Sequence, residues 1–301
     1  MESARTTETE EEKINLALPS LVIKRVPLES IRPREVSIYA KEEQIGAGTF
    51  GKVYKGRLKP AYADNSPQSP SSPSQYEMVA LKKLNMEKEE EGFPITALRE
   101  IKILKKLKHK NIIELKEVVT EKKPKRHDVY LVFEYMQHDL HGLLDKKIRY
   151  EARHIKCLLR QLLEGVAYLH ENNVMHRDIK GANLLLNNDG VLKLADFGLS
   201  RRFYASRMTY TNRVVTLWYR APELLLGSTS YTSAIDIWSV GCFFSELLTC
   251  EPLFPGDKEP KQYELICQKC GTPSEASWRE VTALKNFEEF QPKKPLQPRL
   301  R

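Results

Sequence analysis

Residues 176–198, HRDIKGANLLLNNDGVLKLADFG, gather the side chains most able to do chemistry into one short stretch. Asp178 is suited to accept a proton from an attacking hydroxyl. Asn183 and Asp196 are hard oxygen donors of the kind Mg²⁺ prefers, and Mg²⁺ keeps company with phosphates. Lys180, two residues after Asp178, can neutralise charge on a phosphoryl group in transfer. Thr216 is placed to hydrogen-bond the Asp178–Lys180 pair, the competing reading being a structural hydroxyl. Upstream, Gly46, Gly48 and Gly51 form GxGxxG. A dinucleotide-binding fold would run from this motif into a helix, but here the strand-like KVYKGRL follows. That order predicts a hairpin whose backbone N–H groups cover phosphates, against the alternative of an ordinary Gly-rich turn. Lys82, in VALK, can reach phosphate oxygens as a point charge, and Glu100 is the carboxylate that could hold it.

These residues need elements to position them. EQIGAGTFGKVYKGRL predicts two strands joined by a Gly turn, and EMVALKKL and VYLVFEYM predict two more. Between the second and third, residues 60–76 are rich in Ser and Pro and cannot bury a face, so they are expected to be a disordered insert. Ser66, Ser69 and Ser72 each precede proline there; they are candidate modification sites, or part of a plain linker. Ile95, Leu98, Ile101, Leu104 and Leu107 recur at helical spacing behind Pro94, which suits a first turn. Ile155, Leu158, Leu159, Leu162, Val166 and Leu169 mark a second amphipathic helix. A β-rich front third thus precedes a largely helical remainder.

Composition narrows the class. Of 301 residues 41% are hydrophobic and 9% aromatic, enough for a proper core. The longest apolar run, AIDIWSVGCFFSELL, is interrupted by Asp236, Ser239 and Glu246, which predicts a buried helix and no membrane span. Acidic residues at the start argue against a signal peptide. Five cysteines include one CxxC, Cys267 and Cys270, without a second pair to complete a zinc site; packed cysteines in a reducing compartment are expected. A net charge of +8 suits phosphate ligands, and no basic-aromatic array points to direct nucleic-acid binding.

VALKK, PITALRE, HRDIKGAN, DFGLSR and YTNRVVTLWYRAPELLLG resemble the cyclin-dependent kinases. PITALRE, KGAN and YTNRVV are most similar to the transcription-type members, which phosphorylate the tail of RNA polymerase II. The resemblance runs from about residue 38 to 290. It implies an α+β, two-lobed protein kinase fold: a flexible extension over 1–37, then a kinase domain over 38–301. The small lobe would cover 38–134 and the helical lobe 138–301. ATP and Mg²⁺ are the implied cofactors. Phe133 would be the gatekeeper, Glu134 and Met136 would present hinge backbone to adenine, Asp139 would face the ribose, and Ile45, Val53, Ala80 and Leu185 would sandwich the base. Lys180 implies serine/threonine acceptors. The PITALRE helix implies a cyclin partner that turns Glu100 toward Lys82. Thr211 matches the activating phosphorylation site, requiring an activating kinase, with Arg99, Arg177 and Arg201 gathered around the phosphate. Val214, Val215 and Arg220 lie where the family selects proline after the modified residue, implying Ser-Pro or Thr-Pro substrates. A nuclear location follows from that role, with KKPKR at 122–126 adding little.

Two departures qualify the resemblance. Phe50 occupies the Gly-loop position where many cell-cycle members carry an inhibitory tyrosine. The chain ends at Arg301, before the family's last helices, one of which supplies an arginine for the glutamate matched by Glu223. An incomplete helical lobe is therefore expected, from a fragment, a truncated gene model or a variant product. The rival functions are a non-catalytic cyclin-binding product and a cell-cycle-type kinase.

Overall fold

A computed structural model describes residues 33–48, 51–62, 77–85, 93–124, 127–203 and 209–299. Phe50, the three Ser-Pro serines and most of the acidic N-terminus lie outside them. Contacts divide the chain into Met1–Pro33 and Arg34–Arg301, and the second unit carries everything below.

Its front is a five-stranded antiparallel sheet: β1 (Tyr39–Gly48), β2 (Gly51–Leu58), β3 (Met78–Leu84), β4 (Leu115–Lys122) and β5 (His127–Glu134), in the order β1-β2-β3-β5-β4. Strand alternation splits the apolar residues of β5 between two cores. Tyr130 and Val132 join Ile38, Tyr39, Val79, Leu81 and Val119 on one face, while Val129, Leu131 and Phe133 face the main core. β4 holds a short β-branched run, Val118, Val119 and Thr120, flanked by charged residues, and was not singled out from the sequence. Residues ahead of β1 close its edge: the Thr120 N–H donates to the Arg34 carbonyl (2.9 Å), and Glu117 accepts from Arg34 and Tyr39.

The first helix, α1 (Ile95–Leu104), is shorter than the apolar spacing predicts, and Pro94 stands just before it as its cap. It buries Ala97, Glu100, Ile103 and Leu104, leaving Ile95 and Leu98 exposed at 68% and 44%. The apolar spacing thus mixed two faces, because a buried carboxylate occupies the centre of the inward one.

Behind the sheet follow β6 (His138–Asp139), α2 (Leu140–Asp145), α3 (Ala152–Glu171), β7 (Val174–Met175), β8 (Leu184–Leu186), β9 (Leu192–Leu194), β10 (Arg201–Arg202), α4 (Pro222–Leu225), α5 (Ala234–Thr249), α6 (Glu259–Cys270) and α7 (Phe287–Phe290). α3 meets the predicted span and buries Ile155, Leu158, Leu162, Val166 and Leu169. α5 is the expected apolar helix, with Asp236, Ser239 and Glu246 buried inside it. Among the described residues no helix is long and apolar enough to cross a membrane. The lobes are stitched together where Ile113 N–H donates to Leu194 O (3.0 Å) and Leu194 N–H to Asn111 O (2.9 Å).

Candidate active site

Sheet register delivers the small lobe's contribution. Gly46 pairs with Val53, Val53 with Lys82, and Lys55 with Ala80, which pairs in turn with Phe133. The Gly-rich residues, the base-lining candidates and the lysine therefore share adjacent rows of one twisted surface. Gly51 has φ +141°, and an added Cβ would run into the Lys83 carbonyl, so no other residue closes this hairpin without strain. Ile45 remains 43% exposed, and Val53, Ala80, Met136 and Leu185 are half-buried. Glu134 is fixed by Lys193 (2.7 Å) and by the Glu114 N–H (2.8 Å). Asp139 caps α2 through the Gly142 N–H (2.8 Å).

Lys82 Nζ lies 2.9 and 3.1 Å from the two oxygens of Glu100 and 3.1 Å from Asp196 Oδ1. Burial works against charge on this lysine, but the two carboxylates outweigh it and hold its pKa above the ordinary value. Glu100, only 2% exposed, can sit inside the protein because the lysine meets it.

Across the cleft the catalytic candidates converge on Asp178. Lys180 Nζ is 2.9 Å from its Oδ2, the Thr216 hydroxyl donates to Oδ1 (2.9 Å), and Asn183 Nδ2 donates to Oδ2 (3.0 Å) and to the Asp178 carbonyl (2.8 Å). Lys180 also reaches the Thr216 hydroxyl at 3.0 Å, so Thr216 takes the bridging place the spacing suggested. Burial alone would raise the Asp178 carboxyl; Lys180 and Thr216 more than offset it, and the pKa falls below the ordinary range. Asn183 spends its amide nitrogen on Asp178, which leaves its carbonyl oxygen for a cation. Among the described residues no group of three or more His, Cys, Asp or Glu could hold a metal. Asn183 and Asp196 do suit Mg²⁺, which binds through one or two protein oxygens and completes its shell with water and phosphate.

This arrangement is held by a residue that was read from sequence only as an interruption. Asp236, 1% exposed, accepts the N–H groups of His176 (2.9 Å) and Arg177 (2.8 Å) and faces His170 Nε2 (2.9 Å). A lone carboxylate in an apolar helix was the available signal. His176 accepts the Asp178 N–H at Nδ1 (3.2 Å), so its Nε2 donates to the Ala195 carbonyl (3.0 Å). Arg177, Asp196 and Val215 all adopt left-handed φ of 61° to 68°, conformations that non-glycine residues hold only under firm restraint.

The regulatory candidates are only partly assembled. Thr211 is exposed, and Arg177 is buried with Nη1 on the Tyr231 hydroxyl (2.8 Å). Arg201 is half-buried with one buried nitrogen lacking a hydrogen-bond partner, and burial lowers its pKa. Arg99 is half-buried on α1. Val214 and Val215 are buried, and the Val215 carbonyl accepts from Arg220 Nε (3.2 Å) and Nη2 (2.9 Å). Arg220 Nη1 also meets Glu259 (2.6 Å). Glu223 borders an open cavity of about 690 Å³, lined also by Tyr231, Trp278 and Arg279. Burial raises its carboxyl, and among the described residues it has no ion pair. On α6 Cys267 is buried, as a packed cysteine should be, whereas Cys270 is exposed.

The protein kinase domain model matches residues 39–293. Cyclin-dependent kinase C-1 of Oryza sativa subsp. japonica is 50% identical over 283 residues, covering 89% of this chain and 52% of that protein. The CTD kinase subunit alpha of Schizosaccharomyces pombe is 49% identical over 256 residues, covering 84% of this chain and 40% of its own length. The chain thus spans about half the length, or less, of these curated relatives. Among solved structures, the yeast RNA Pol II CTD kinase CTDK-1 complex aligns with a TM-score of 0.76 at 40% identity, covering 89% of this chain and 81% of the other. The chain belongs to the protein kinase family.

Proposed function

We propose that this chain is a cyclin-dependent serine/threonine kinase that transfers the γ-phosphate of ATP to Ser-Pro or Thr-Pro sites. The single observation that carries the reading is the pair of facing arrays, Lys82–Glu100–Asp196 and Asp178–Lys180–Thr216–Asn183. An acceptor hydroxyl entering between them would meet an ionised Asp178, which orients it and takes its proton. Lys180 lies beside that carboxylate and can offset charge on the transferring group. Lys82 and the hairpin N–H groups would hold the nucleotide phosphates. Asn183 and Asp196 would hold Mg²⁺, which would neutralise phosphate charge when bound. Positioning and fixed charge are the effects required of the protein.

The proline preference has a local support. The Val215 carbonyl is engaged by Arg220 and so is not free to accept a substrate N–H. Proline, which lacks that N–H, leaves no donor unpaired there. The exposed Ile95 and Leu98 on α1 suit a cyclin surface. Similarity to CTD kinases favours RNA polymerase II C-terminal repeats as substrate, transcription elongation as the process and the nucleus as the location. The intact buried Lys82–Glu100 pair favours the enzyme over the non-catalytic, cyclin-binding alternative.

The test is Asp178→Asn, assayed with cyclin on a repeat peptide. Turnover should fall by at least about 10²-fold while nucleotide affinity is kept; full activity in the variant refutes the assignment.

A further inference from the structure

We propose that Tyr231 is a positioning residue that latches the Thr211 segment to the catalytic loop, the stretch carrying Arg177 and Asp178, while Thr211 bears no phosphate. The proposal rests on the reading of Thr211 as the phosphorylated threonine. Tyr231 precedes α5, outside both the catalytic loop and the segment around Thr211, and is 8% exposed. Its hydroxyl donates to the Thr211 carbonyl (2.7 Å) and accepts from Arg177 Nη1 (2.8 Å). A phenol has one hydrogen to give and lone pairs to receive, so both bonds form at once. The ring also packs against Tyr210, with centroids 5.4 Å apart, and the Tyr210 N–H donates to the Thr229 carbonyl (2.7 Å). The segment is thereby gripped at two successive residues.

The grip leads directly to the reacting groups. Arg177 adjoins Asp178, sits at φ 68°, and is held by its N–H on Asp236 and its Nε on the Leu199 carbonyl (2.9 Å). The Tyr231 hydroxyl restrains the far end of this strained residue. Chiefly through burial, the phenol is kept above its ordinary pKa and remains a neutral donor. Among the described residues neither Arg177 nor Arg201 makes an ion pair, so a phenol satisfies Arg177 while leaving the positive field for an anion. A phosphate on Thr211 would add roughly −1.5 to −2 charges and bind the arginines itself. The latch then becomes redundant, so its loss should be felt only in the threonine form.

The experiment uses the full chain made with threonine or phosphothreonine at 211, each with and without Tyr231→Phe. Amide hydrogen exchange over residues 209–215 is followed beside the global melt and peptide turnover. Removing the hydroxyl should speed exchange about fivefold in the threonine form and less than about twofold in the phosphothreonine form, with little change in Tm. Equal acceleration in both forms, a collapse of the melt, or no acceleration in the threonine form overturns the latch. A chain with Tyr231 intact whose exchange and turnover ignore phosphothreonine instead overturns the reading of Thr211; the latch is still decided by the threonine form.

Discussion

At the scale of single residues, Asp178 shows how charge is kept where the proposed chemistry would require it. Its carboxyl is desolvated, yet Lys180 and Thr216 hold its pKa below the ordinary value. A depressed folded-state pKa means the ionised form persists as pH falls from neutrality. Its contribution to stability is full above the unfolded pKa of about 4 and is lost as pH drops through the folded one. The acid limb of kcat should therefore lie below pH ~4. Lys180→Met removes the nearest cation and should move that limb to higher pH, besides lowering kcat. A pH–rate profile of the two proteins checks this, and an unmoved limb would mean Lys180 does not set the Asp178 charge.

Among the elements, α5 does more than fill the core. It carries Asp236 to the underside of the catalytic loop, where one side chain satisfies two backbone N–H groups and faces a histidine. Asp236→Ala would leave those donors buried and unpaired, and should cost about 3–5 kcal/mol. Urea unfolding measures the loss directly. Replacing an exposed helical residue, Lys156→Ala on α3, should change stability by less than ~0.5 kcal/mol and serves as the control. The Gly-rich hairpin illustrates the same dependence of site on element, since Gly51 is required by backbone geometry, apart from any contact with a ligand.

For the whole molecule, the sheet and the helical lobe meet along the cleft, and α1 lies where a partner can act on it. Its inner face holds Glu100 against Lys82, while Ile95 and Leu98 stand in solvent. Leu98→Glu should leave the melt nearly unchanged, within about 0.5 kcal/mol, and abolish binding to a purified cyclin. Retained binding would place the cyclin surface elsewhere. Nucleotide would link the lobes as well: Mg²⁺-ATP at about 100 times Kd should stabilise the chain by ~2.7 kcal/mol. A broad, nucleotide-insensitive melt would favour the non-catalytic reading.

The candidate site was legible in the sequence because the groups that phosphoryl transfer would need stand in a fixed chain order. The strings holding Lys82, Asp178, Asn183 and Asp196 name those groups without reference to distance. Strands β1 to β3 and helix α3 were legible too, since strand alternation and helical spacing are local. What the tertiary structure decided was non-local. Which face of α1 turns inward depends on a lysine 18 residues away finding Glu100. The role of Asp236 depends on backbone donors 59 and 60 residues distant, and that of Tyr231 on Arg177 at a separation of 54. A buried polar side chain acquires its meaning from the partners that satisfy it, and those partners are brought near only by the packing of the whole chain.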